Sequence, residues 1–306
     1  MNMDLSYDGR VVVVTGAGNG LGKSHAMEFA RRGAQVVVND LGAAGDGNGA
    51  DGSVAAQVVR EIEAAGGTAV ANTDSVEDGA RIIQQAMDSF GRVDVLINNA
   101  GILRDTAFHK LGDDTWDVIY RVHLLGTYRT TRAAWDVMRS AGYGRILMTT
   151  SAAGLYGNFG QANYSSAKLG IVGLANTLAV EGAAKGIFTN TIAPTAASRL
   201  TASVMPQQML DALGPEHVTP LAALLCHESS RENGGLFEVG GGWVAKLRWE
   251  QAQGAMFKDA TMTAEALADR WGEVTSFEDA HHPASIQDTL QNLGQKIGMQ
   301  FGLAVQ

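Results

Sequence analysis

The chain alternates short, nearly continuous apolar runs with longer segments of helical spacing. The runs occupy residues 10–16, 34–40, 68–74, 93–99, 145–151, 188–194 and 236–241. Val11-Val12-Val13-Val14 and Val36-Val37-Val38 lack polar alternation, the pattern of strands covered by helices on both faces. Seven such runs with helical spacers predict an α/β fold, a single doubly wound (Rossmann-like) domain around a seven-stranded parallel sheet. No internal repeat interrupts the rhythm.

Two segments depart from it. Residues 41–53 contain Gly42, Gly45, Gly47, Gly49 and Gly52, a flexible loop at a strand's carboxyl end. It reads either as a tolerated surface insertion or as a lid near a cofactor. From about Ala245 onward the chain turns polar, yet Trp249, Phe257, Trp271 and Phe277 are too many aromatics for a disordered tail. The expected organisation is a nucleotide-binding domain over 1–244. A helical extension over 245–306 is expected to pack on the main domain or a partner subunit.

Composition narrows the class. With 45% hydrophobic and 18% charged residues among 306, the chain is ordinary for a soluble globular protein. No run approaches the roughly 20 apolar residues of a membrane span. The first residues lack the basic start and apolar core of a secretory signal, and the last are not a Ser-Lys-Leu-type address. A cytoplasmic location is expected. The single cysteine, Cys226, allows no internal disulfide and reads as a small buried apolar residue. A net charge of -9 argues against a nucleic-acid partner. An anionic thioester substrate would need a local basic cluster, for which Arg104, Lys110 and Arg121 are candidates; solvated surface charges are the alternative. No metal is expected.

The chemistry begins after the first run, with Thr15-Gly16-Ala17-Gly18-Asn19-Gly20-Leu21-Gly22 opening into a helix-like segment. Glycine lets backbone approach a pyrophosphate closely, and a helix N-terminus presents free N–H groups to it. Between a buried strand and a helix, the motif is in the context it requires. Asp40 ends the second run, placed to accept from adenosine ribose hydroxyls and to repel a 2′-phosphate; no basic residue flanks it. NAD is therefore expected over NADP. Asp74-Ser75 closes the third run and Asn98-Asn99-Ala100-Gly101 the fourth, again at carboxyl ends, where ligands bind in open parallel sheets. The expected cofactor residues are Gly16, Asn19, Gly20, Leu21, Gly22, Asp40, Asp74, Ser75, Asn99, Ala100 and Gly101, with Tyr164 and Lys168.

Tyr164 and Lys168 stand four positions apart, on one face of a helix. A phenol with an ordinary pKa of about 10 is a poor base at neutral pH. A nearby ammonium and the nicotinamide's positive charge would favour phenolate, letting Tyr164 take an alcohol proton as hydride leaves. Ser151, at the end of the fifth run, could hold the substrate oxygen beside the phenol.

These residues together resemble the short-chain dehydrogenase/reductase family from about Gly9 to Gly242. Longer stretches resemble one branch, the (3R)-hydroxyacyl-CoA dehydrogenase part of multifunctional enzyme type 2, also called 17β-hydroxysteroid dehydrogenase type 4. They are Asp40-Leu41-Gly42 with its glycine-rich insertion, 98–105 (NNAGILRD), 121–124 (RVHL), 156–164 (YGNFGQANY), 233–239 (NGGLFEV) and 243–250. The resemblance implies strand order 3-2-1-4-5-6-7 and a homodimer, with the extension at the dimer contact and bordering the pocket. It implies that Ser151 and Tyr164 contact a 3-hydroxyl, that Lys168 also binds the nicotinamide ribose, and that a (3R)-hydroxyacyl-CoA is oxidised with NAD in β-oxidation. It further suggests a stand-alone bacterial form, with sterol side chains among the substrates. The competing readings are a 17β-hydroxysteroid dehydrogenase, a ketoacyl-carrier-protein reductase and a non-catalytic cofactor sensor. Two positions depart from the wider family. His123 stands where most members carry a relay asparagine. Pro194-Thr195, followed by Ala196-Ala197-Ser198, replaces the usual Pro-Gly.

Overall fold

In the computed structural model, residues 5–196, 207–257 and 262–299 are described. The strands are β1 (Val11–Thr15), β2 (Gln35–Asn39), β3 (Thr68–Asn72), β4 (Val95–Asn98), β5 (Gly144–Thr149), β6 (Ile187–Pro194), β7 (Leu236–Gly240) and β8 (Trp243–Leu247). Between them lie α1 (Gly20–Arg31), α2 (Ser53–Ala64), α3 (Gly79–Phe90), α4 (Asp113–Tyr120), α5 (Gly126–Ala141), α6 (Ala152–Tyr156), α7 (Ala162–Gly182), α8 (Gln207–Ala212) and α9 (Thr219–Cys226).

Strand geometry explains why the apolar runs are unbroken. Successive side chains point to opposite faces, so Val12 and Val14 join Val36, Val38, Ile97 and Leu147 on one side of the sheet. There they pack with Phe29 of α1, Val58 and Ile62 of α2, and Leu221 and Leu225 of α9. Val11 and Val13 join Val37, Leu96, Ile146 and Met148 on the other side, against Ile82 and Ile83 of α3, Met138 of α5 and Ile171 of α7. Both faces are buried, as the runs predict. Cys226 is buried in the first layer, where desolvation pushes its thiol up to about 12. The bland reading of that residue holds.

Among the described residues the sheet has eight strands, in order β3-β2-β1-β4-β5-β6-β7-β8, one more than expected. β1 lies inside the sheet, with Val12 beside Val36 on one side and Val95 on the other. β1 to β7 pair in parallel. β8 follows β7 through Gly241-Gly242, a link too short for a crossover, so the final pair is an antiparallel hairpin. Both glycines have left-handed φ, 56° and 83°, as a two-residue primed turn requires. The strand was missed because the glycine run reads as a loop and Ala245-Lys246 interrupts the apolar pattern.

Contacts divide the chain into two compact units, Met1–Lys246 and Leu247–Gln306. The second contains α10 (Ala264–Asp269), α11 (Trp271–Thr275) and α12 (Ile286–Ile297). A reciprocal box of Ser285 and Asp288 caps α12. The Arg270 guanidinium lies 4.8 Å over the Phe257 ring and donates to the Met256 carbonyl. Trp249, Trp271 and Phe277 are exposed. Among the described residues no helix is long and apolar enough to cross a membrane.

Candidate active site

The turn between β1 and α1 depends on glycine at Gly16, Gly20 and Gly22. Gly16 and Gly20 have left-handed φ, 63° and 51°. A Cβ on Gly16 would lie 2.7 Å from the Ala100 Cα, and one on Gly22 would strike the Gly16 carbonyl. The end of β4 braces this turn. Asn99 Nδ2 donates to the Thr15 and Gly16 carbonyls, each at 3.1 Å, while Thr15 Oγ1 accepts from the Asn99 and Ala100 amides. Asn19 caps α1 in extended conformation without a side-chain hydrogen bond, and the first turn carries no acidic residue. The helix thus presents unneutralised amides where an anionic diphosphate would sit.

Asp40 does more than the sequence suggests. Its Oδ2 accepts from the Gly18 amide and its Oδ1 from the Gly42 amide, both at 2.7 Å. The carboxylate therefore braces the glycine turn. Asp74 is held by Asn72 Nδ2 at 2.9 Å and by Arg81 at 2.8 Å. Asn39 Nδ2 reaches the Asp74 carbonyl, and Ser75 Oγ caps the turn that follows by accepting from the Glu77 amide.

Ser151, Tyr164 and Lys168 converge beyond the end of β5. Ser151 caps α6, its Oγ accepting from the Ala153 amide at 3.2 Å. Lys168 is buried, donating through Nζ to the Thr149 carbonyl at 2.8 Å, with Nζ 5.6 Å from the centre of the Tyr164 ring. Burial lowers Lys168 to about 7. The Tyr164 phenol lies above its ordinary value: burial raises it, a hydrogen bond with Ser151 lowers it, and the charge of Asp105 raises it. The expected lowering of the phenol is therefore not supplied by the protein's own groups, because desolvation dominates and weakens the lysine's charge too. The positive charge of an oxidised nicotinamide is the remaining contribution.

His123 lies on a single π-helical turn, Arg121–Leu125, between α4 and α5. Such turns carry an extra residue and recur at functional sites. The imidazole is buried, edge-to-face with Tyr164 at 5.2 Å between centroids, and its Nε2 is 2.8 Å from the Ile102 carbonyl and 3.1 Å from the Ile102 amide. Nδ1 has no partner among the described groups. A Cβ on Gly101 would collide with this ring, which explains glycine at that position. Burial and then the Lys168 charge push His123 down to about 3, against the opposing Ile102 hydrogen bond, so the ring is neutral in any working range. A relay through an imidazolium is thereby disfavoured.

This state has a consequence for acid stability. Unfolded histidine titrates near 6.5, so between about 3 and 6.5 the unfolded chain binds a proton that folded His123 refuses. Stability falls as pH drops through that window, by up to about 1.4 kcal/mol per unit for one full proton. His123→Asn should make the slope of unfolding free energy between pH 6.5 and 4.5 shallower by close to one proton. Urea denaturation at several pH values checks this; an unchanged slope would show that the ring charges in the folded state.

Two of the three candidate basic residues have protein partners. Arg104 bonds the Asp46 carbonyl, and Arg121 pairs with Glu77 at 3.4 Å. Sequence reasoning also missed a clamp beside Tyr164. Gln161 donates to Asp105 at 2.8 Å, Thr106 N donates to the Gly160 carbonyl, and Asn163 Oδ1 accepts from the Tyr164 amide. Its only signal was that these residues fall within the stretches NNAGILRD and YGNFGQANY. Ala197 and Ser198, after Pro194-Thr195, lie outside the described residues.

A parallel sheet with a braced glycine turn at β1 and a Ser-Tyr-Lys set at β5 defines a dinucleotide-dependent oxidoreductase. Residues 10–208 match the short chain dehydrogenase family. The chain is 56% identical over 291 residues to peroxisomal multifunctional enzyme type 2 of Mus musculus, covering 94% of this chain and 40% of that protein. It is 50% identical over 274 residues to a short-chain type dehydrogenase/reductase of Mycobacterium tuberculosis, covering 89% and 96% respectively. The solved full-length type 2 enzyme of Drosophila melanogaster superimposes with a TM-score of 0.82 at 41% identity, over 95% of this chain and 49% of that one. The chain thus spans between 33% and 66% of the length of the multifunctional relatives it matches. It belongs to the short-chain dehydrogenase/reductase family, oxidoreductases that use NAD or NADP and act on CH–OH groups.

Proposed function

We propose that this chain oxidises the 3-hydroxyl of a (3R)-hydroxyacyl-CoA to the 3-keto thioester with NAD. The observation that carries the reaction is the convergence of Ser151, Tyr164 and the buried Lys168 beyond β5. The 56% identity to a type 2 multifunctional enzyme supports the acyl-CoA substrate, and sterol side chains fit within that class. Ser151 donates a hydrogen bond to the substrate oxygen. Tyr164 accepts the hydroxyl proton, and Lys168 holds the phenolate and the nicotinamide ribose. A bound oxidised nicotinamide would supply the hydride acceptor. Gly16, Asn19, Gly20, Leu21 and Gly22 cradle the diphosphate. Asp40 takes the adenosine ribose hydroxyls, with Asp74 and Ser75 near the adenine. Asn99, Ala100 and Gly101 border the nicotinamide side.

The same reading includes a homodimer. Exposed Tyr128 on α5 and Leu169 and Val180 on α7 offer apolar surface to a second copy.

Initial-rate measurements with (3R)- and (3S)-hydroxyacyl-CoA and estradiol, each with NAD and NADP, test this. The (3R) thioester with NAD should give the highest kcat/KM. NADP should be poorer by about two orders of magnitude, since a phosphate facing Asp40 is a like-charge contact. A comparable kcat/KM for estradiol would mean a permissive pocket instead of a dedicated acyl-CoA site, and a preference for NADP would overturn the role of Asp40.

A further inference from the structure

The glycine-rich insertion is a built loop. Asp51 N donates to the Leu41 carbonyl at its base, and Ala44 N and Gly47 N bond the Asn48 and Ala44 carbonyls within it. Asp46 accepts from both the backbone and the side-chain amide of Asn48. Gly42, Gly47 and Gly49 supply three left-handed φ values, 72°, 88° and 78°, so the glycines specify a shape instead of loosening the chain.

Its attachments give it a direction. The base sits at the end of β2, where Asp40 holds Gly42 and Gly18, and Val54 just beyond packs on Gly18. The tip is fastened to the segment after β4. Leu103 N donates to the Gly45 carbonyl at 2.9 Å, and Gly47 packs on Ile102. Arg104 donates through Nε to the Asp46 carbonyl at 2.7 Å and through Nη2 to Asn48 Oδ1 at 3.3 Å. β2 and β4 are the two neighbours of β1, so the loop runs from one flank of the glycine turn to the other. That is the course a dinucleotide takes from Asp40 toward Tyr164.

The segment receiving the tip is also tied to the chemistry. Ile102 bonds His123, the Arg104 carbonyl accepts from Asn163 Nδ2, and Thr106 bonds Gly160, all within reach of Tyr164. We infer that residues 41–52 form a strap along the bound dinucleotide and that Arg104 is the latch holding its tip. Arg104 is then a positioning residue that sets how fast the reduced dinucleotide leaves. This rests on the nucleotide-binding reading above.

The test is stopped-flow release of NADH, with fluorescence titration of its affinity, in wild type, Arg104→Ala, Asn48→Ala and the double variant. Losing two hydrogen bonds from a charged donor should speed NADH release by about tenfold in Arg104→Ala, with KM for NAD rising in step. KM for the alcohol should stay within about twofold, which separates a latch from general loosening of the site. Asn48→Ala should act in the same direction but less, and the double variant should be faster by less than the product of the two single effects, because both singles lose the Arg104–Asn48 contact. Release from Arg104→Ala less than about threefold faster than wild type, with wild type binding NADH normally, overturns the latch alone. Wild type that binds neither NADH nor NADPH overturns the nucleotide reading and the latch with it.

Discussion

Tyr164→Phe should lower kcat for alcohol oxidation by about 10²–10⁴-fold, the range a positioned general base contributes. The dissociation constant for NADH should change by less than about threefold, because the substitution removes one oxygen and leaves the ring. That ring packs edge-to-face on His123, and its backbone amide donates to Asn163 Oδ1, so neither anchor is lost. Burial holds the phenol above its ordinary value, and the hydrogen bond with Ser151 is the largest opposing influence among the protein's groups. The oxygen is therefore desolvated and held, with nothing in the fold that requires it for packing. Single-turnover absorbance at 340 nm is an NADH readout that separates this from slow product release. Retention of more than about a tenth of wild-type kcat would remove Tyr164 from the proton-transfer step.

Much of this was legible in the sequence because period-two geometry and glycine sterics are local. The valine runs marked strands buried on both faces, the glycine turn and Asp40 follow the ends of β1 and β2, and Tyr164 and Lys168 lie four positions apart in α7. What was not legible depends on partners distant in the chain. Asp40 reads as a ribose acceptor, but its grip on Gly18 appears only when β2 lies beside β1. Arg104 reads as one charge of a basic cluster until the loop at Asp46 is seen to meet it. The sign of the Tyr164 shift depends on how much water burial removes, and an i,i+4 spacing carries no information about that. β8 was hidden for a local reason, since three consecutive glycines resemble a loop until two of them adopt left-handed φ.

Lys168→Met should separate activity from stability in opposite directions. Activity should fall by about 10²–10⁴-fold, since the group that supports the Tyr164 phenolate is gone. Stability near neutral pH should rise. Lys168 has an ordinary pKa of 10.5 and is held near 7 by burial, so between those values the unfolded chain carries a proton that the folded chain lacks. Unfolding free energy therefore increases with pH across that window, by up to about 1.4 kcal/mol per unit, and the burial penalty is fully present below 7. Methionine fills similar space without a charge and removes the penalty. Against this, the Thr149 carbonyl loses the donor now 2.8 Å away, a cost of about 1–3 kcal/mol if no water replaces it. The penalty depends on pH and the lost hydrogen bond does not, so comparing pH values isolates the charge. Thermal unfolding should show a gain for the methionine variant at pH 7 that shrinks or reverses at pH 9. An equal difference at both would mean that Lys168 keeps its proton in the folded protein, and that its ammonium, not burial, governs the electrostatics beside Tyr164.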